Sequence, residues 1–267
     1  MEFLGYFGAL AMGALLGLIG GGGSILTVPI LAYFFSIDAT LATAYSLFVV
    51  GLTAIVGAAS YWRNKQLDVK TAIVFSIPSF LAVYATRRYV MPLIPEQVFA
   101  VGDFVLTKNA LVMVVFALLM MGAAISMIRP QKNAMAQPEG EPKFNYPLIL
   151  VEGAAVGALT GFVGAGGGFL IIPALVVLAR LPIKLAVGTS LLIIAAKSLI
   201  GFIGDVQNYK DQIDWAFLSL FSIVAVFGIL LGSWASRFVS GDKLKPAFGW
   251  FVLTMGAFVI VKETMWK

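Results

Sequence analysis

Cysteine and histidine are both absent from the 267 residues of this chain. Without cysteine the protein can form neither a disulfide nor a thiolate nucleophile, and without histidine it lacks the commonest ligand of zinc and of haem iron. We therefore expect no metal centre and no cofactor. Carboxylates, hydroxyls, carbonyls and methionine thioethers remain as ligands, so transport of a hard cation stays open as an alternative.

Charge is also scarce. Charged residues make up 12% of the chain and hydrophobic residues 60%, whereas a soluble domain has about 25% charged residues. Runs of about 20 apolar residues separated by short polar stretches are typical of membrane-spanning helices. The sequence predicts an all-α integral membrane protein that crosses the lipid bilayer several times. The net charge of +5 is scattered over short loops, which argues against a nucleic-acid partner.

Groups for catalysis are missing at membrane depth. An intramembrane protease would need a serine beside a base, or paired aspartates, inside a span. The apolar runs contain no histidine and no clearly mid-span aspartate. We do not expect an enzyme.

The apolar residues fall into eight regions, and two of these are too long for one span. The regions cover residues 3–35, 41–62, 71–90, 109–128, 147–179, 184–203, 214–236 and 245–261. A helix of 33 residues, the length of the first and fifth regions, would be about 50 Å long, against a hydrocarbon core of about 30 Å. Each long region must break, tilt strongly or turn back.

The chain contains an internal duplication. Residues 17–29 read GLIGGGGSILTVP and residues 161–173 read GFVGAGGGFLIIP, with six of thirteen positions identical at an offset of 144. A proline-rich polar stretch separates the copies. We predict a first membrane repeat at 1–128, a linker loop at 129–146 and a second membrane repeat at 147–267, each repeat with four helical regions.

The distribution of Lys and Arg favours a chain that turns back at the glycines. If each long region crosses once, the two faces of the membrane carry nine and eight of these residues; if each returns to its entry face, the split is eleven to six. Loops rich in Lys and Arg stay in the cytoplasm. The turned-back arrangement gives each half an odd number of crossings, so the first helical region of each repeat is predicted to be re-entrant and the repeats to be inverted.

The glycine runs and one lysine are the candidate site. Irregular backbone at membrane depth is tolerated where it is buried in protein or lines a cavity, and helix amino termini there favour anions. The candidate substrate-binding residues are Gly20, Gly21, Gly22, Gly23, Ser24, Gly164, Gly166, Gly167, Gly168, Ser46, Ser190 and Lys197. The alternatives are close helix packing for the glycines, back-bonding to helix carbonyls for the hydroxyls and snorkelling to the interface for Lys197.

The carboxylates are weaker candidates for a functional role. Glu152 could accept a proton during coupled transport or simply lie at the interface. Asp38, Asp68, Asp205 and Asp214 fall at predicted span ends, where helix capping and solvation usually explain carboxylates.

The two G-x-G-G motifs followed by proline, at Gly20 to Pro29 and Gly164 to Pro173, resemble those of the TauE/SafE family of sulfite exporters. The resemblance covers nearly the whole chain. It implies a secondary transporter of sulfur-containing anions, such as sulfite, sulfoacetate or related organosulfonates, across a bacterial plasma (inner) membrane, coupled to an ion gradient. A membrane scaffold or assembly subunit is the alternative, and a homo-oligomer stays open.

Overall fold

The computed structural model describes residues 2–101, 104–128, 146–168, 171–172, 175, 181–236, 238 and 241–265. The predicted linker, apart from Tyr146, lies outside the described residues, and so does Pro173. The predicted domain boundaries therefore stay predictions.

The described part of the chain is almost entirely helical. Its elements in order are α1 Glu2–Ile19, a 3-10 helix Gly21–Leu26, α2 Thr27–Phe34, α3 Ala39–Arg63, α4 Val69–Ala85, a π-helical turn Thr86–Val90, α5 Met91–Leu93, β1 Gln97–Val101, β2 Phe104–Thr107, α6 Lys108–Ile128, α7 Tyr146–Val163, α8 Ile183–Tyr209, α9 Trp215–Ala235 and α10 Gly241–Met265. The short antiparallel hairpin of β1 and β2 is an element that the sequence analysis did not predict.

Six described segments are long and apolar enough to cross a membrane. They are Ala39–Arg63, Val69–Leu93, Lys108–Ile128, Leu185–Tyr209, Trp215–Ala235 and Pro246–Glu263. Large apolar side chains such as Leu81 and Phe227 are exposed on their outer surfaces, as lipid-facing residues are. The protein is a multi-pass, mainly α-helical membrane protein.

The first long apolar region breaks at Gly20. Here φ is +76°, a left-handed conformation that glycine adopts without the cost other residues meet. After the break the chain returns along α1, because Gly23 packs on Leu16 and Gly8 packs on Ile30. The predicted break is confirmed, and residues 2–34 form a helical hairpin.

The second long region breaks at the corresponding glycines. Helix α7 ends at Val163, and φ is positive at Gly164, Gly166 and Gly167. Gly167 packs against Thr160, as its counterpart Gly23 packs on the last turns of α1. The chain therefore bends back on α7 immediately after the break.

Corresponding helices of the two halves pack against each other in antiparallel directions. In the α3–α8 pair, a Cβ on Gly57 would lie 3.2 Å from Leu191, and one on Gly201 would lie 3.2 Å from Leu47. The two contacts are equivalent, since Gly57 aligns with Gly201 and Leu47 with Leu191 at the offset of 144. The pair α6–α10 runs antiparallel as well, because Gly249 faces Met127 and Gly256 faces Met120.

The first helix of each half packs on the third helix of the other half. Gly13 and Gly17 of α1 lie against Ala225 and Ile229 of α9, and Gly157 of α7 lies against Ser79 of α4. In each case a Cβ would overlap backbone atoms of the neighbouring helix, so glycine is needed for the helices to approach this closely.

The bundle has two ends that locate the site. We call them the 64–68 end and the 210–214 end, after the loops they carry. Helix α3 runs from the 210–214 end to the 64–68 end, and α8 runs the opposite way. Residue 43 of α3 is therefore level with residue 205 of α8, and residue 61 is level with residue 187.

Candidate functional site

The two glycine segments meet in the middle of the bundle. Gly21 and Gly168 contact each other through their backbones, and Ser24 Oγ lies 2.6 Å from the Ala165 carbonyl oxygen and 2.7 Å from that of Gly21. We call residues 20–24 and 164–168 the glycine junction. All of these residues are buried, so the structure brings together the glycine candidates and Ser24, which are far apart in the sequence.

The glycines of the junction differ in the space around them. A Cβ on Gly21 would overlap Gly168, and one on Gly167 would overlap Thr160 Oγ1. A Cβ on Gly22 would meet no heavy atom nearer than 3.5 Å. Close packing therefore explains some of these glycines, whereas the positive φ at Gly166 and Gly167 is a separate backbone requirement.

Lys197 is fully buried, halfway along α8. Its ammonium donates a hydrogen bond of 3.0 Å to Thr160 Oγ1, and a Cβ on Gly167 would lie 2.7 Å from Nζ. The side chain therefore points to the glycine junction and does not snorkel to the interface. No carboxylate forms a salt bridge with Lys197 within the described residues.

The corresponding position in the first half carries no charge. Thr53 aligns with Lys197, and its hydroxyl donates to the Val49 carbonyl at 2.5 Å, a bond within its own helix. Leu16 aligns with Thr160. The ammonium and its hydroxyl partner thus belong only to the second glycine segment.

The two aligned serines do not bond to the junction. Ser190 Oγ donates to the Val187 carbonyl at 2.8 Å, which is the back-bonding that hydroxyls commonly make in membrane helices. Ser46 Oγ is buried and finds no partner in the described part of the chain. Their predicted role in substrate binding stays a prediction.

Glu152 lies on α7, three turns before the break. Its Oε2 is buried without a hydrogen-bond partner among the described residues, and no cation there is paired with it. Its role as a coupling group also stays a prediction.

A buried ion pair lies beside the junction, and the sequence interpretation missed it. Arg87, in the π-helical turn, and Asp205, on α8, are both fully buried, with Arg87 Nη1 3.2 Å from Asp205 Oδ2. Arg87 Nη1 also donates to Thr43 Oγ1 at 2.9 Å. The backbone of Thr43 packs directly on Gly164, so the pair is one residue away from the glycine junction.

The prediction for the four aspartates holds for three of them. Asp38, Asp68 and Asp214 accept the backbone N–H groups of Thr40, Thr71 and Phe217, respectively, at helix starts. For Asp205 the prediction was wrong. Asp205 precedes no helix but lies inside α8, one turn before its end. The helical run that continues past Asp205 was the sequence signal that could have shown this position.

These features indicate the class of protein to which the chain belongs. Six apolar spans surround a junction of broken helices that carries buried charges, which is the architecture of membrane transporters that bind solutes between discontinuous helices. The family model for sulfite exporter TauE/SafE matches residues 6–259. The chain belongs to this family, and it is a membrane transporter and not an enzyme.

Curated relatives match over most of their length. A probable membrane transporter protein of Xylella fastidiosa (strain 9a5c) is 28% identical over 256 residues, covering 93% of this chain and 91% of the relative. The probable membrane transporter protein YunE of Bacillus subtilis is 28% identical over 244 residues, covering 85% and 86%. One from Methanocaldococcus jannaschii is 27% identical over 262 residues, covering 94% and 92%. No solved structure gives a significant match.

The Arg87–Asp205 pair predicts an asymmetric response to mutation. Arg87→Met should destabilise the protein by about 3–5 kcal/mol, because Asp205 would be left buried without its counter-charge. The double variant Arg87→Met/Asp205→Leu should recover most of this loss. Unfolding in mixed detergent micelles measures both free energies.

Arg88→Met is the matched control, since Arg88 is only partly buried and donates to Asn208 Oδ1 at 3.0 Å. It should cost about 1 kcal/mol. A double variant as unstable as Arg87→Met alone would contradict this account of the pair.

Proposed function

We propose that the protein is a secondary transporter of small sulfur-containing anions, such as sulfite, sulfoacetate or related organosulfonates, across the bacterial plasma membrane, driven by an ion gradient. The observation that carries the proposal is the fully buried Lys197 ammonium against Gly167 at the glycine junction. A buried ammonium without a carboxylate is costly unless an anion neutralises it.

The backbone around Lys197 suits a small oxyanion. Successive residues in left-handed and turn conformations, as at Gly166 and Gly167, make concave groups of N–H donors that bind anions. Glycine leaves these donors uncovered by side chains. The tight contacts of Gly21 and Gly168 leave little space, which favours an anion of a few atoms over a bulky apolar ligand.

We also propose that the halves are inverted repeats with re-entrant hairpins. The antiparallel packing of α3 on α8 and of α6 on α10 supports this, because a two-fold axis that relates antiparallel helices lies perpendicular to them. For helices that cross a membrane, such an axis lies in the membrane plane. The hairpin of residues 2–34 then enters from the 210–214 end, and the second glycine segment from the 64–68 end.

From the same arrangement we infer the orientation of the protein in the membrane. The 64–68 end then has eleven Lys and Arg and the other end six. By the positive-inside rule the 64–68 end is cytoplasmic, and Arg87 and Asp205 lie towards the periplasmic side.

Transport in proteoliposomes tests the function. The wild-type protein should move sulfite, and Lys197→Met, which keeps the length of the side chain and removes its charge, should lower the rate at least about tenfold, the effect of losing about 1.4 kcal/mol of binding. Lys210→Met, at an exposed position, is the control and should transport normally. Sulfite flux unchanged in Lys197→Met would contradict the assigned site.

Cysteine labelling tests the topology. Because the chain has no cysteine, Asn64→Cys and Gln212→Cys each introduce a single thiol. With inverted repeats, a membrane-impermeant maleimide should label Gln212→Cys from outside intact cells and Asn64→Cys only after permeabilisation. Labelling of both from the same side would support parallel repeats instead.

A further inference from the structure

The Arg87–Asp205 pair leaves much of its bonding capacity unused. Arg87 Nε and Nη2 are buried without a hydrogen-bond partner among the described residues, and neither oxygen of Asp205 accepts a hydrogen bond there. A guanidinium has five N–H donors in a planar fork that fits an oxyanion. Buried polar groups are nearly always satisfied, so these unpaired donors indicate a missing ligand.

The Arg87–Asp205 pair lies close to the central site, on its 210–214 side. Thr43 joins it to the glycine junction, since Thr43 Oγ1 accepts from Arg87 and the Thr43 backbone packs on Gly164. Asp205 is eight residues beyond Lys197 on α8, which is about 12 Å along the helix axis. Arg87 therefore lies between Lys197 and the 210–214 end.

We propose that Arg87 is a second binding site for a small oxyanion and that the Asp205 carboxylate occupies it until a proton neutralises Asp205. This proposal rests on the proposed function and adds to it a second site and the group that couples the proton. One proton adds to a carboxylate oxygen of Asp205, and the anion then takes the place of that carboxylate on the N–H groups of Arg87. One proton is bound for each anion bound, and no covalent bond to the anion forms or breaks.

The groups around the pair suit this exchange. Lys108 of α6 is nearly buried and acts electrostatically on Asp205, and Thr43 of α3 contributes a neutral hydroxyl. Tyr209, one turn further along α8, feels the charges of both Asp205 and Arg87. Once Asp205 is protonated, its carboxylate no longer offsets the positive charges of Arg87 and Lys108. This local excess of positive charge attracts an anion.

More distant carboxylates reach only the edge of this cluster. Asp38 and Glu96 act electrostatically on Tyr209, and Asp38 caps α3 through the Thr40 N–H. Glu152 has no cation partner in the described part of the chain. A proton on Glu152 would therefore release no cation, and Asp205 is the better candidate for coupling.

Calorimetric titration of the purified protein with sulfoacetate tests the proposal. Both acid groups of sulfoacetate stay ionised between about pH 6 and 8, so any proton exchanged belongs to the protein. Titrations in buffers of different ionisation enthalpy give the number of protons taken up per anion. Wild-type protein should take up close to one proton, and its affinity should rise up to about tenfold for each unit by which pH falls.

The variants assign that proton to a residue. Asp205→Asn should bind sulfoacetate without proton uptake and with an affinity independent of pH, whereas Glu152→Gln should behave like wild type. Sulfoacetate binding by wild type without proton uptake would overturn the inference and leave the proposed function standing, and this measurement does not depend on the folding of any variant. Uptake that persists in Asp205→Asn, or that is lost in Glu152→Gln, would overturn it as well.

The proposed function fails in a different way. If wild-type protein binds none of sulfite, sulfate and sulfoacetate at any pH, the anion transporter proposal is overturned, and this inference with it.

Discussion

The backbone contact between the two glycine segments is the constraint on which the rest of the structure depends. Gly21 and Gly168 touch through main-chain atoms, and even a methyl group would separate them. The first segment contains four consecutive glycines and the second contains three. Because of these runs, neither segment can continue as a stable helix at this point. The helices break where the halves meet, and polar backbone becomes available at the centre of an apolar bundle.

The surrounding helices hold this contact from both sides. Helix α1 packs on α9 and α7 packs on α4 through glycines that allow backbone contact, while α3 and α8 pack against each other. The scaffold is therefore close to symmetric, but its chemistry is not. Among the described residues, the fully buried charges Lys197, Arg87 and Asp205 lie around the second segment, and the position aligned with each in the other half carries Thr53, Leu231 and Tyr61, respectively. The buried charges are therefore not repeated between the two halves.

Much of this architecture could be predicted from the sequence, because its causes are local. Consecutive glycines break a helix wherever they occur, and an aspartate before an apolar run caps it, as Asp68 and Asp214 do. The ion pair could not be predicted in this way. Arg87 and Asp205 are near the ends of apolar runs, where a side chain can face water or the protein interior, and only the packing of α4 on α8 decides which. The β1–β2 hairpin likewise depends on neighbours that a single sequence does not reveal.

The location of a bound anion is the most direct test of whether Lys197 and the second glycine segment form the substrate site. Selenate has the geometry of a sulfur oxyanion, and its selenium gives an anomalous diffraction signal in soaked crystals. We expect an anomalous peak within hydrogen-bond distance of Lys197 Nζ and beside Gly166 and Gly167. A peak at the first glycine segment, with none near Lys197, would contradict the assignment of the charged second segment as the substrate site.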